Sequence, residues 1–155
     1  LINIIQENNK LLKVIDTYIN IKLLTRSDKI FFFCYGEQIS RVFFNLIKNS
    51  IESIQEKVQK NGDFSKKINI EIVGKSDYID FTINDNGTGV SEKDLKHILK
   101  PYYTTKSKGS GLGLSIVNKI IYDHNGKINF EKQQSGAKIN IKFQKNGNWN
   151  FNNRR

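Results

Sequence analysis

The chain has no methionine, one cysteine, one proline and one tryptophan in 155 residues. The lone cysteine, Cys34, excludes an internal disulfide. Its place in the apolar run Ile30-Phe-Phe-Phe-Cys34 points to a buried, inert thiol. No apolar stretch approaches the ~20 residues that a membrane-spanning helix needs. Nothing at the N-terminus looks like a signal peptide, because Leu1-Ile-Asn-Ile-Ile-Gln-Glu turns polar at once. The lack of methionine, with the large residue Leu1 in first place, leads us to expect a piece of a longer protein. Acidic residues are also scarce: 15 Asp and Glu stand against 25 Lys and Arg, a formal charge of +10. Such an excess invites a nucleic-acid reading. The lysines are scattered among abundant Asn and Ile, however, as in sequences biased toward AT-rich codons, so no nucleic-acid partner is expected.

What is present suits one domain with a real core. The spacing of Leu1, Ile4, Ile5, Leu11, Leu12 and Ile15 predicts an opening helix. Ile19, Ile21 and Leu23 alternate with polar residues and predict a strand, and Ile30 to Cys34 reads as a short buried one. A long amphipathic helix from about Glu37 to Lys60 follows, with Ile39, Val42, Phe43, Leu46, Ile47, Ile51, Ile54 and Val58 on one face. Asn61-Gly62 closes it, glycine supplying a left-handed cap. Ile68/Ile70/Ile72 and Ile79/Phe81/Ile83 read as antiparallel strands joined by Gly74 to Asp77. Ser91-Glu-Lys-Asp94 opens a short helix through Leu99 that Pro101 stops. A polar loop leads from Tyr102 to Gly111, a further helix ends near His124, and Ile128/Phe130 and Ile139/Ile141/Phe143 complete the strands. The expected fold is an α/β (α+β) two-layer sandwich: a mixed, mainly antiparallel sheet covered on one face by helices. That order argues against a P-loop or Rossmann fold, which needs parallel βαβ units. Residues 1–143 form the expected domain and 144–155 a polar, flexible tail.

Three polar clusters carry the chemistry. Gly109, Gly111 and Gly113 alternate just before an apolar run with helical spacing, and glycine loops at helix N-termini cradle anions such as nucleotide phosphates. Asn45, Lys48, Asn49 and Glu52 share one side of the long helix, placed opposite the apolar stripe. They read either as a solvated surface or as amide oxygens for a hard cation and phosphate oxygens, as Mg²⁺ prefers. Asp85-Asn-Gly-Thr-Gly89 is a common turn, or a fixed carboxylate that accepts a hydrogen bond from a base's exocyclic amine, with glycines making room for the flat ring. Adenine and guanine both offer such an amine. Thr104, Thr105, Lys106, Lys108 and Ser110 bring hydroxyls and cations toward the cradle, on a loop expected to act as a lid.

In order and spacing, Asn45-x-x-x-Asn49, Asp85-x-Gly87-x-Gly89, Pro101-Tyr-Tyr103 and Gly109-x-Gly111-x-Gly113 resemble the N, G1, F and G2 boxes of the histidine-kinase catalytic domain. This is the Bergerat ATP-binding fold shared with type II topoisomerases, Hsp90-type chaperones and MutL-type repair proteins. Pro101-Tyr-Tyr-Thr-Thr-Lys106 and Gly109-Ser-Gly-Leu-Gly-Leu-Ser-Ile-Val117 look most like sensor kinases of the nitrogen-regulation type. The resemblance implies ATP and Mg²⁺, with Asn49 on the metal and Asn45 on the phosphates. It puts Asp85 on the adenine amine, with Gly87 and Gly89 beside the base. Gly109, Ser110, Gly111, Leu112, Gly113 and Leu114 would wrap the phosphates, and Lys106 would neutralise their charge. Asn45, Asn49 and Lys106 are thus the candidate catalytic residues, with Glu52, Thr104 and Thr105 lining the nucleotide site. His124 falls where the pattern has His-Gly-Gly and reads as a helix cap. Tyr35-Gly36 stands where an Asp commonly caps the long helix, which puts that helix start in doubt.

No phosphoacceptor histidine followed by an acidic residue is found in this sequence. The implied partners are therefore a separate dimerisation and phosphoacceptor domain and a response-regulator receiver domain. The implied setting is cytoplasmic, in a homodimeric parent able to anchor in the inner membrane, with the isolated domain monomeric. Hydrolases and serine kinases of this fold resemble one another in placing Glu where Asn45 stands, as general base. Its absence favours transfer of the γ-phosphoryl of ATP to a histidine over hydrolysis. A non-catalytic nucleotide-binding remnant and an anti-sigma-like serine kinase are the alternatives.

Overall fold

The computed structural model describes residues 19–26, 32–106 and 109–145. The expected opening helix, residues 30 and 31 of the expected second strand, Lys108 and the tail from residue 146 lie outside the described residues. Strand β1 (Asn20–Thr25) is followed by helix α1 (Gly36–Asn61), strands β2 (Lys67–Gly74) and β3 (Tyr78–Asp85), a single helical turn α2 (Glu92–Leu95), helix α3 (Gly113–Asp123), and strands β4 (Gly126–Lys132) and β5 (Ala137–Gln144). The sheet order is β1-β2-β3-β5-β4. Among the described strands only β1 and β2 run parallel, on either side of the α1 crossover; the other pairs are antiparallel. The glycine loop enters α3 and then antiparallel β4, so no parallel strand feeds it.

Alternation decides the layers, because successive strand side chains point to opposite faces. Ile68, Ile70 and Ile72 of β2, Ile79, Phe81 and Ile83 of β3, and Ile139, Ile141 and Phe143 of β5 are buried under the helices. They meet Ile39, Val42, Phe43, Leu46, Ile47, Ile51 and Ile54 of α1 and Val117, Ile120 and Ile121 of α3. Phe43 and Phe81 stack across the layers with centroids 5.2 Å apart. The other sheet face carries paired polar residues: Lys138 meets Glu131 at 3.0 Å, and Asn140 donates to Glu131 at 2.6 Å.

Three expectations are corrected. Phe32 to Cys34 is not a strand; Phe32 packs on Phe143 at 4.8 Å and Cys34 is half-buried, while Phe33 is 82% exposed, so the run is a connector that meets the core on one side only. The short helix has one regular turn and then continues as turns, with Ser91 capping it by accepting from the Asp94 N–H at 3.3 Å. Gly62 does take the positive φ expected of a glycine cap, +80°, but its ψ of −177° is not that of the left-handed helical conformation. Gln144 closes β5, and the Lys145 N–H reaches the carbonyl of Asp77 at 2.7 Å.

Candidate functional site

Asp85 ends β3 and is 4% exposed. Its Oδ1 accepts from the backbone N–H of Gly87 at 3.0 Å and of Ala137 at 3.3 Å, and its Oδ2 accepts from Ser50 Oγ at 2.9 Å. Burial pushes this carboxyl up from its ordinary value, with the donors of Gly87, Ser50 and Ala137 and the charge of Lys57 opposing. A carboxylate oxygen accepts more than one hydrogen bond, so Oδ2 keeps capacity for another donor.

The turn after Asp85 is held from two sides. Ser53 Oγ accepts from the Thr88 N–H at 3.0 Å, and Lys57 Nζ donates to the carbonyl of Asn86 at 2.8 Å. A Cβ at Gly87 would overlap Ser53, and one at Gly136, which also has φ +80°, would overlap the carbonyl oxygen of Asp85. The close approach at Gly87 is thus made by the protein's own α1, and Gly89 lies against Gly136 in the same way. Ser50, Ser53, Lys57 and Gly136 were not visible as site residues in the sequence. Only the two serines carried a signal, small hydroxyls one and four residues after Asn49 on the same helix.

Asn45, Asn49 and Glu52 are half-buried along the flank of the α1 apolar stripe, not opposite it. That flank faces the start of α3 and the loop before it. Asn45 donates Nδ2 to the carbonyl of Arg41 at 2.8 Å, and its Oδ1 would lie 3.4 Å from a Cβ at Gly113. From the loop, Lys106 reaches across to ion-pair with Glu52 and to donate to Asn49 Oδ1 at 3.3 Å. Lys48 also approaches Glu52, at 3.8 Å. An ammonium group thus already rests on the amide oxygen and carboxylate that the sequence singled out for a hard cation.

The loop is anchored at its root. Tyr103 donates its hydroxyl to Asp94, whose carboxyl is held below its ordinary value by Ser91 and then Tyr103. Tyr102 has φ +64° and is 78% exposed, and the turn at Gly111 stacks on its backbone. Thr104 Oγ1 accepts from the Lys106 N–H at 3.1 Å and lies against Gly109. Thr105 and Ser110 are exposed, and Leu112 and Gly113 form the entrance to α3, with Leu114 packed on the core. The structure therefore brings Asn45, Asn49, Glu52, Lys106 and the glycine loop together, with Asp85 farther along α1 beside Ser50. A hollow of about 280 Å³ opens on the other side of Asp85, between Lys67, Asn69, Asn84 and Gln133. It includes none of the α1 amides or the loop, so the cleft carrying those donors is the stronger candidate.

This sheet-and-helix sandwich, with its polar cleft between a long helix and a glycine loop, is the architecture of histidine-kinase catalytic domains. The chain is similar to the solved catalytic domain of histidine kinase ThkA, with a TM-score of 0.80, 28% identity and 94% and 92% of the two chains covered. Residues 35–147 match the family described as histidine kinase-, DNA gyrase B-, and HSP90-like ATPase, and the chain belongs to that family. Among curated relatives, it is 36% identical over 132 residues to a putative sensor histidine kinase, NtrY-like, of Rickettsia conorii. It is 36% identical over 113 residues to the sensory histidine kinase/phosphatase NtrB of Rhizobium leguminosarum. These alignments cover 84% and 68% of this chain but span 21% and 30% of the relatives. Among the described residues no helix is long and apolar enough to cross a membrane.

Proposed function

We propose that this chain is the ATP-binding catalytic domain of a two-component sensor kinase, passing the γ-phosphoryl of ATP to a histidine on a separate dimerisation domain. A receiver-domain aspartate on a response regulator would take it next. The observation that carries the reading is Asn45. Its carboxamide faces the head of the glycine loop where a hydrolase of this fold needs a carboxylate base. Glu52, the neighbouring carboxylate on that flank, is engaged by Lys106 and Lys48. An imidazole acceptor is already a nucleophile and needs no such base. Asp85 Oδ2 suits the adenine amine, and the loop N–H groups at the α3 entrance suit phosphate oxygens.

Asn49 Oδ1, which already holds the Lys106 ammonium, fits a hard cation, with Glu52 beside it. Bound there, Mg²⁺ would supply charge neutralisation across the phosphates. The chain's own share is to fix the base at Asp85, line the phosphates between α1 and the loop, and release Lys106 toward them. The setting is a kinase whose catalytic domain sits in the cytoplasm, membrane-anchored or not through other segments.

Calorimetric titration of the chain with a nonhydrolysable ATP analogue, with and without Mg²⁺, tests the site. Adenine-selective binding that Asp85→Asn weakens by about 100-fold supports it. Equal binding of the GTP analogue, or an indifferent variant, overturns it. For the reaction, radiolabelled ATP is supplied with the dimerisation domain of a sensor kinase. Label on its histidine supports the kinase; binding without transfer favours a non-catalytic module, and label on serine the serine-kinase reading.

A further inference from the structure

His124 is 1% exposed and lies outside the nucleotide cleft, at the C-terminal end of α3. Its Nδ1 is 2.7 Å from the carbonyl of Ile120, and its Nε2 accepts the backbone N–H of Tyr35 at 3.1 Å. A carbonyl only accepts and an amide N–H only donates. Both contacts are satisfied together by one form, the neutral imidazole protonated on Nδ1. Tyr35 is the N-cap of α1 and gives that helix no side-chain cap. The imidazole therefore joins the last turn of α3 to the first residue of α1. The Tyr35 ring stands edge-on to it at 5.8 Å.

Now the other ends of the same helices. Along α1, Asn45 lies about ten residues from Tyr35; along α3, Gly113 lies a similar distance before His124, roughly 15 Å of helix in each case. At that point Asn45 Oδ1 faces Gly113. The helices are thus antiparallel neighbours, pinned at one end by His124 and forming the phosphate side of the cleft at the other. We infer that His124 is a positioning residue, a buried strut that sets the spacing between Asn45 on α1 and the glycine loop at the head of α3. The inference rests on the ATP reading and deepens it: sliding or rotation at the pin is carried along two stiff rods to the groups that line the phosphates.

The strut is tested first without ligand. Long-range proton–nitrogen correlation of the labelled 155-residue chain should show His124 as the Nδ1–H tautomer, with scalar coupling across the hydrogen bond from Tyr35 N to Nε2. An Nε2–H tautomer overturns the inference. The second test is affinity for the nonhydrolysable ATP analogue, measured well below each variant's melting midpoint. His124→Leu fills the space without an acceptor and should bind about tenfold more weakly, with the Asn45 and Gly113 resonances displaced. His124→Gln, whose Oε1 can accept the Tyr35 N–H, should recover most of that loss. Tyr35→Pro removes the same N–H at φ −79°, which proline adopts, and should reproduce the weakening, whereas Tyr35→Ala, which loses the ring beside His124 but keeps the N–H, should not. The effects of Tyr35→Pro and His124→Leu should not add. Wild-type affinity in folded Tyr35→Pro, or no recovery in folded His124→Gln, also overturns the inference. If the wild type itself does not bind the analogue, the ATP reading fails, while the tautomer and the cross-bond coupling still decide whether the strut exists.

Discussion

Asp85 shows how one residue serves two demands. Its carboxylate is buried, so ionisation costs stability that three hydrogen bonds only partly restore. Its folded pKa is raised above the ordinary 3.8, so the folded state holds the proton more tightly than the unfolded one. By linkage, Asp85 detracts from stability at neutral pH, and that penalty fades as pH falls through the raised value. In Asp85→Asn, Oδ1 keeps the N–H groups of Gly87 and Ala137 while Nδ2 turns to Ser50 Oγ and toward any base amine. We expect this variant to melt at or above the wild-type temperature at pH 7, the gap narrowing in acid, while adenine binding weakens by the same roughly 100-fold. Scanning calorimetry across pH checks the first part. Gly136→Ala should act oppositely, since its Cβ has no room beside the Asp85 carbonyl and its φ is positive. A loss of roughly 2–4 kcal/mol in urea unfolding is expected.

At the scale of elements, α1 carries the core stripe and the polar flank of the cleft together. Its start can be improved: Tyr35 has extended φ and ψ, gives no side-chain cap, and leaves first-turn N–H groups for an aspartate to accept. Compared with Tyr35→Ala, which loses the same ring contact with His124, Tyr35→Asp should be more stable by about 0.5–1 kcal/mol, read from chemical denaturation. The loop is joined to α1 by Lys106, but both partners of its ion pair with Glu52 are more than a third exposed. Lys106→Ala should therefore change stability by less than ~1 kcal/mol. It should weaken binding of the ATP analogue far more than that of adenosine, because the lost cation faces phosphates and not the base. Equal weakening of both ligands in calorimetry would contradict that role.

For the whole molecule, the sheet is a support and the chemistry lies along one side of the helical layer. A domain that holds ATP for an external histidine should neither label itself nor turn over ATP quickly. Incubated alone with radiolabelled ATP, the chain should retain no label, and sedimentation should show a monomer. Label should appear only when a phosphoacceptor domain is added. Much of the architecture was legible because alternation in Ile68/Ile70/Ile72 and Ile79/Phe81/Ile83, and the helical spacing from Ile39 to Ile54, repeat at their own periods with few interruptions. Phe32 to Cys34 misled because a short apolar run looks alike in a strand and in a connector that touches the core only in part.

From sequence alone came the order of elements from the long helix onward, the two-layer class, and the amide, carboxylate and glycine clusters, since each is written in local periodicity or in spacing within one segment. Only the tertiary structure brought Ser50 and Ala137 to Asp85, Lys106 to Asn49, Gly136 under the Asp85 turn, and His124 to Tyr35. The hydrogen bonds among these contacts join residues 35 to 89 positions apart. Short-range patterns carry no information about such pairs, because the packing of α1 and α3 on one sheet face decides which distant donors and acceptors meet.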